Sequence, residues 1–78
     1  MTRFDCVLTD TYGGQPNYGW VRRETVTLPD QATNRSVIMA AKAALGLTGL
    51  RCRTSPVGEG WELRPSGTAT VAFVTPSY

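Results

Sequence analysis

The sequence predicts an α+β fold: an antiparallel β-sheet of about five strands, covered on one face by a single α-helix, in the order β-β-α-β-β-β. Three observations support this prediction. One segment repeats its apolar residues at helical spacing, the flanking segments alternate polar and apolar residues, and Gly/Pro-rich turns separate them. Because the chain has 78 residues and shows no linker and no internal repeat, we expect a single domain over residues 1–78.

The predicted helix covers residues 33–46, TNRSVIMAAKAALG. Thr33 is a favourable N-cap residue, and Gly46 can adopt the left-handed conformation that often ends a helix. The apolar stripe that should face the sheet contains Val37, Ala41, Ala44 and Leu45, flanked by Ile38, Ala40 and Leu47. Arg35 and Lys42 should face solvent. Small alanines in this stripe would let the helix lie close to the sheet.

Two antiparallel strands are predicted before the helix. Residues 3–9 alternate, so that Phe4, Cys6 and Leu8 should face the helix. Residues 10–19, DTYGGQPNYG, should form a loop carrying Tyr12 and Tyr18, and residues 18–28 should form the second strand. Since consecutive strand residues point to opposite faces, the Arg22-Arg23 pair predicts a sheet edge or a bulge.

Three further strands are predicted after the helix, at residues 50–54, 61–64 and 68–75. Turns should lie at residues 56–60 and 65–67. The side chains expected to face inward from these strands are Leu50 and Cys52, then Trp61 and Leu63, then Val71 and Phe73. Arg51 and Arg53 should face outward, as should Glu62 and Arg64.

The side chains of this sequence do not suggest an enzyme. Histidine is absent, which removes the commonest general base and the commonest metal ligand. The two cysteines, Cys6 and Cys52, are too few for a structural zinc site, and we expect both to be buried and reduced. No glycine cluster matches a phosphate-binding pattern. We therefore predict no catalytic residue, no cofactor and no metal.

The basic residues suggest a binding surface. Seven of the eight are Arg, which favours planar contacts to carboxylate or phosphate. The strand alternation sends Arg and carboxylate side chains to the face away from the helix, where the first alternative is a solvated sheet face. The second is a partner-binding surface, because Tyr and Arg are typical of binding hot spots. Its candidate residues are Arg3, Tyr12, Tyr18, Arg22, Arg23, Arg51, Arg53 and Arg64.

Several segments resemble a class of short proteins encoded in phage and prophage genomes. They are DTYGG with the following NYGWVRRE, then AKAALGLTGLRCR, and the closing ELRPSGTATVAF. The resemblance implies an anti-CRISPR protein directed against a type I (Cascade) interference complex, although it assigns no functional residue. Many such inhibitors are acidic DNA mimics. Because this chain carries a net charge of +2, we expect it instead to occupy a protein surface or to cover a nucleic-acid path.

The partner expected from this interpretation is a host protein complex, with Cascade subunits as the suspected target. Nucleic acid is a secondary possibility, because no RNP-type or KH-type motif is present and the charge is low for a protein that depends on phosphate contacts. We expect a monomer or weak dimer in the cytoplasm of the infected bacterial host, with no membrane association. The alternatives are a nucleic-acid-binding phage accessory protein and a minor virion or assembly component.

Overall fold

The computed structural model describes residues 1–77 and contains one helix and five strands in that range. The strands are β1 (Thr2–Tyr12), β2 (Gln15–Leu28), β3 (Cys52–Val57), β4 (Gly60–Pro65) and β5 (Thr70–Ser77), and the helix is α1 (Asn34–Ala44). This β-β-α-β-β-β order and the α+β class confirm the prediction from the sequence. No helix within the described residues is both long enough and apolar enough to span a membrane.

The five strands form one sheet in the spatial order β2-β1-β5-β4-β3, and every neighbouring pair is antiparallel. The strands β2 and β3 are therefore the two edges, and α1 connects them. The chain leaves one edge, crosses one face of the sheet as the helix, and returns at the opposite edge. The Arg22-Arg23 pair, predicted to mark a sheet edge or a bulge, lies on the edge strand β2.

Both ends of α1 have the predicted caps. The Thr33 hydroxyl accepts a hydrogen bond from the Ser36 backbone N–H at 3.1 Å, which satisfies one of the free donors of the first turn. After the C-cap residue Leu45, Gly46 takes a φ of +73° and ends the helix. Residues 34–44 thus form a helix that is well defined at both ends.

The hydrophobic core lies between α1 and one face of the sheet. The helix and the turn after it contribute Val37, Ala41, Leu45 and Leu47, and the sheet contributes Phe4, Cys6, Leu8, Leu63, Ala72 and Val74. Ile38, Ala40 and Ala44 are half-buried at the sides of the helix, and Arg35 is exposed. The predicted buried face of the helix is therefore confirmed. Lys42 is half-buried, because its ammonium turns back to donate to the Leu50 carbonyl at 2.8 Å.

The predicted inward side of β5 is wrong. Ala72 and Val74 face the helix and belong to the core, whereas Phe73 is half-buried on the other face of the sheet. Val71 is fully buried, but it also lies on that other face, next to Thr9. The error has a physical cause. Residues 71–74 are all apolar, so this segment has no alternation from which its inward side can be determined.

The predicted loop at residues 10–19 is also wrong in extent. The strand β1 continues to Tyr12 and β2 begins at Gln15, so only Gly13 and Gly14 form the turn. Their φ angles of +60° and +85° are typical of a tight two-residue hairpin turn, which glycine adopts without a steric penalty. The Gly, Pro and Asn residues that suggested a loop lie mostly within strand.

The third strand begins later than predicted. It covers Cys52–Val57 rather than residues 50–54, and the next turn is correspondingly short, at Gly58 and Glu59. Leu50, expected to face the core, lies in the connection before this strand and is exposed. Cys52 packs against the core, but it is half-buried rather than buried as predicted.

Candidate binding surface

The face of the sheet opposite α1, called the open face here, has an apolar centre. The strand register places Arg23, Val7, Phe73, Glu62 and Ser55 opposite one another across all five strands. This row is about 19 Å long, from four inter-strand spacings. Val7 and Phe73 at its centre are half-buried, and Arg23 at one edge is exposed. The open face is therefore a polar surface with a partly exposed apolar centre.

Hydroxyl and charged side chains lie on one side of the apolar centre of the open face. Asp5 lies opposite Thr25 on β2 and Thr75 on β5, and all three are exposed. Arg3 occupies the next position along β1 on this face and is also exposed. Arg3 and Asp5 thus contribute opposite charges, so this part of the open face is polar without a strong charge of one sign.

Two arginines face each other at the other side of the open face. Arg53 on β3 lies directly opposite Arg64 on β4, a pairing of like charges. The Arg64 guanidinium is held by the Glu62 carboxylate, with an Nε–Oε2 distance of 3.3 Å, and it donates to the Gly14 carbonyl at 2.9 Å. The Glu62 carboxylate therefore partly neutralises the Arg64 charge. Arg53 remains exposed and available to a partner.

The contact between Arg64 and Gly14 ties the hairpin end, residues 12–21, to the open side of the sheet. Gly14 lies in the turn between β1 and β2, and Arg64 is two strands away from β1. Thr9 and Val71 have no exposed surface, although they lie on the side opposite the helix. The hydrogen bond from Arg64 to Gly14 therefore connects the hairpin end to the open face.

A bulge gives the hairpin end its shape. Thr9 pairs with Val21 but Thr11 pairs with Pro16, so residues 17–20 of β2 all lie opposite the single residue Asp10. The Asp10 carboxylate accepts hydrogen bonds from the Asn17 side chain and from the Gly19 backbone N–H, both at 2.8 Å. The bond from Asn17 lowers the pKa of Asp10, with further lowering from backbone donors, so the carboxylate is ionised at neutral pH.

Within this bulge, Tyr18 is held in an unusual backbone conformation. Its φ is +56°, in the left-handed region that residues with a Cβ enter only at a cost. The neighbours of Tyr18 on both sides are fixed by Asp10, and the Thr9 hydroxyl donates to the Trp20 carbonyl at 3.0 Å. These bonds fix the backbone on both sides of Tyr18, and its side chain remains exposed.

Exposed apolar side chains cluster at the hairpin end. Tyr12 is 80% exposed, Tyr18 57%, Trp20 48% and Val21 39%. These are four of the eight exposed large hydrophobic residues within residues 1–77, and they lie in ten consecutive positions. Clustered exposed aromatic residues indicate an interaction surface more often than isolated ones do.

Trp20 and Val21 were not among the residues proposed from the sequence. Both lie in a segment rich in aromatic and β-branched residues, which predicts a strand but does not show that the strand is an exposed edge. The bulge depends on Asp10, whose contacts with Asn17 and Gly19 could not be derived from the alternation of polar and apolar residues. The one available indication was the number of aromatic residues close to the Gly-rich turn.

The structure separates the proposed site residues into groups. Arg3, Arg23, Arg53 and Arg64 lie on the open face, and Tyr12 and Tyr18 lie at the hairpin end. Arg51, predicted to face outward from the third strand, instead precedes β3 and lies outside the sheet.

Arg22 differs from these residues because it lies on the helix-facing side of β2. Its guanidinium donates to the carbonyls of Ala44 and Leu45, at 3.2 and 3.5 Å. Carbonyls at the C-terminus of a helix lack intrahelical partners and carry partial negative charge, so a cation is favourable there. The contacts that the structure shows for Arg22 therefore stabilise the helix end against the sheet.

Within residues 1–77, no group of three or more His, Cys, Asp or Glu side chains is arranged to hold a metal ion. No protein-family model, curated protein or solved structure matches the chain. The described surface presents aromatic rings, guanidinium groups and hydroxyls on the sheet. A functional proposal therefore depends on the hairpin end and the open face.

Proposed function

We propose that this chain is a small binding protein that inhibits a host type I CRISPR-Cas complex, Cascade, by occupying one of its surfaces. The observation that carries the binding role is the cluster of exposed aromatic residues at the hairpin end, which the hydrogen bond from Arg64 to the Gly14 carbonyl connects to the open face. The target class comes from the resemblance of the sequence to short phage and prophage proteins. The protein acts in the cytoplasm of the infected host.

The composition of the hairpin end supports a protein partner. Trp, Tyr and Arg are the residues that most often dominate the free energy of protein association. Tyr12, Tyr18 and Trp20 are attached to a backbone that is fixed by the Asp10 contacts and by Arg64. Because this backbone is already ordered, binding loses less conformational entropy than it would on a flexible loop.

The charge of the surface makes mimicry of DNA a poor explanation. The chain carries a net charge of +2, and Arg3, Arg23 and Arg53 are exposed on the open face. A surface of this kind fits an acidic protein patch, or it covers a path that nucleic acid would follow. In either case the inhibitor competes with the normal ligand of the complex by steric exclusion.

A second candidate function is direct binding of single-stranded nucleic acid. It is favoured by the combination of aromatic side chains, which stack on bases, with arginines, which contact phosphates. The ionised Asp10 and the Arg64–Glu62 ion pair reduce the positive potential of this surface, and protein binding therefore remains the preferred proposal.

The proposal is tested with purified type I Cascade and its double-stranded target DNA. We expect the protein to form a stable complex with Cascade that survives nuclease treatment, and to prevent the DNA from shifting in a gel. Binding to single-stranded DNA without Cascade, with an affinity that falls steeply as salt rises, would favour the second candidate. Absence of binding to Cascade from a range of hosts would contradict the proposed target.

A further inference from the structure

The two edges of the sheet differ in their capacity to pair with another strand. The edge β3 is only six residues long and contains Pro56, which has no backbone N–H to donate. The edge β2 has 14 residues, and from Val21 to Leu28 it pairs with β1 without a bulge and without Gly or Pro. Its outer backbone groups have no neighbouring strand within the described residues. This long, regular edge is therefore the place where the sheet can be extended.

The charges along this edge limit what can pair with it. Arg22 and Glu24 lie on the helix-facing side of β2, with an Nε–Oε1 distance of 3.5 Å, and Arg23 lies between them on the open side. Both members of the Arg22–Glu24 pair are about half exposed. Opposite charges placed next to these residues by an incoming strand favour pairing, whereas like charges facing each other across strands are destabilising.

A second copy of the same strand meets this condition in one register. In an antiparallel pair related by a twofold axis perpendicular to the sheet, the central residue faces its own copy. Centring the pair on Arg22 or on Glu24 places identical charges opposite each other on the helix side. Centring it on Arg23 places Arg22 opposite Glu24 of the second copy, and Glu24 opposite Arg22 of the second copy.

We propose that the chain forms a weak homodimer by antiparallel pairing of β2 with β2 of a second copy, centred on Arg23. The two five-stranded sheets become one continuous sheet, with both helices on the same face and both open faces on the other. Arg22 and Glu24 of the two copies form a ring of four alternating charges. Val21 of each copy lies opposite Thr25 of the other, a pairing that suits a sheet.

Arg23 sets the strength of this dimer. In the proposed register the two Arg23 side chains face each other on the exposed open side, so their repulsion opposes association. This repulsion explains why the dimer is weak. A change at Arg23 therefore distinguishes the dimer from the proposed function, because Arg23 would contribute to partner binding but oppose self-association.

The test reverses the charge at position 22 or 24 and measures self-association. Sedimentation equilibrium provides this measurement over protein concentrations that reach the millimolar range. Glu24→Arg and Arg22→Glu should each weaken self-association about tenfold or more, since both attractive pairs become repulsive. An equimolar mixture of the two variants should recover association, because every contact between unlike copies again joins opposite charges. Arg35→Glu, the same charge change on the exposed side of the helix, should leave self-association unchanged.

Arg22→Glu also removes the contacts to the carbonyls of Ala44 and Leu45, so its fold is checked by circular dichroism. If it does not fold, Arg23→Thr provides the independent variant and should strengthen the dimer. A wild-type protein that stays monomeric at every concentration would overturn the proposal. Single variants that associate as well as wild type, a mixture that fails to recover, or an Arg23→Thr variant that weakens association would also overturn it.

Discussion

At the scale of single residues, the two cysteines show how position in the sheet determines reactivity. Cys6 lies in the second strand from the edge, beneath the helix, and is fully buried. Burial, together with the smaller effect of the negative charges of Asp5 and Glu24, raises the pKa of the Cys6 thiol to about 11. Cys52 belongs to the edge strand β3 and is only half-buried. Both thiols are free.

The sequence predicted both cysteines as buried and reduced. The prediction is confirmed for Cys6 and for the absence of a disulfide, and Cys52 is more accessible than expected. Alternation identifies which side of a strand a residue occupies, but not whether another strand lies beyond it. Because β3 is an edge, one flank of Cys52 has no neighbouring strand to cover it.

We predict that a thiol reagent at pH 8 will label Cys52 well before Cys6 in the native protein. The thiolate is the reactive form, and the raised pKa of Cys6 keeps that thiol almost entirely protonated at this pH. After denaturation, both thiols should react. Equal native rates measured by mass spectrometry would show that Cys6 is not in the environment described.

At the scale of secondary-structure elements, α1 is suited to close packing on the sheet. Ala41 is fully buried at the centre of its inner face, between Val37 and Leu45. A larger side chain at this position would have to displace the strands beneath it. Ala43, two residues along, is on the exposed side of the same helix and has no such constraint.

We therefore predict that Ala41→Leu lowers the free energy of unfolding by about 1 to 3 kcal/mol through overpacking. The matched control is Ala43→Leu, which makes the same chemical change on the exposed side and should stay within about 0.5 kcal/mol of wild type. Urea denaturation of both variants measures the difference. A Leu at position 41 that is tolerated as well as one at position 43 would show that the buried face of the helix is assigned incorrectly.

The helix was easier to predict than the strands, for physical reasons. Three features of one short segment predict the same helix: its apolar stripe, the N-cap Thr33 and the terminating Gly46. The sequence of β5 does not show which side of the strand faces the core, because residues 71–74 are apolar on both sides. In the β1–β2 hairpin, loop-forming residues occur within strand, and the bulge depends on side-chain contacts of Asp10 that have no sequence pattern.

At the scale of the whole molecule, the spatial order of the strands determines the candidate surface. The last strand, β5, inserts between β1 and β4, and this leaves β2 as a free edge. That order follows from long-range pairing and could not be derived from local alternation. The sequence correctly predicted an open face with Arg3, Arg53 and Arg64, but it could not separate Arg22 from Arg23. Which of the two arginines faces the helix depends on the register, which pairs Arg22 with Leu8 and Arg23 with Val7.

The surface that we propose binds the partner consists of the hairpin end and the open face. The most direct test measures binding to purified Cascade for the double variant Trp20→Ala with Arg53→Glu, one change in each part of the surface. The loss of a buried aromatic anchor alone is worth about 2 kcal/mol or more, roughly 30-fold in Kd, and charge reversal adds repulsion.

Arg35→Glu on the helical side is the control, and the melting temperatures of both proteins should stay close to wild type because the changed side chains are exposed. We expect the double variant to lose binding and the Arg35 variant to keep it. Full binding by a folded double variant, together with loss of binding on Arg35 reversal, would show that the partner binds the helical side instead.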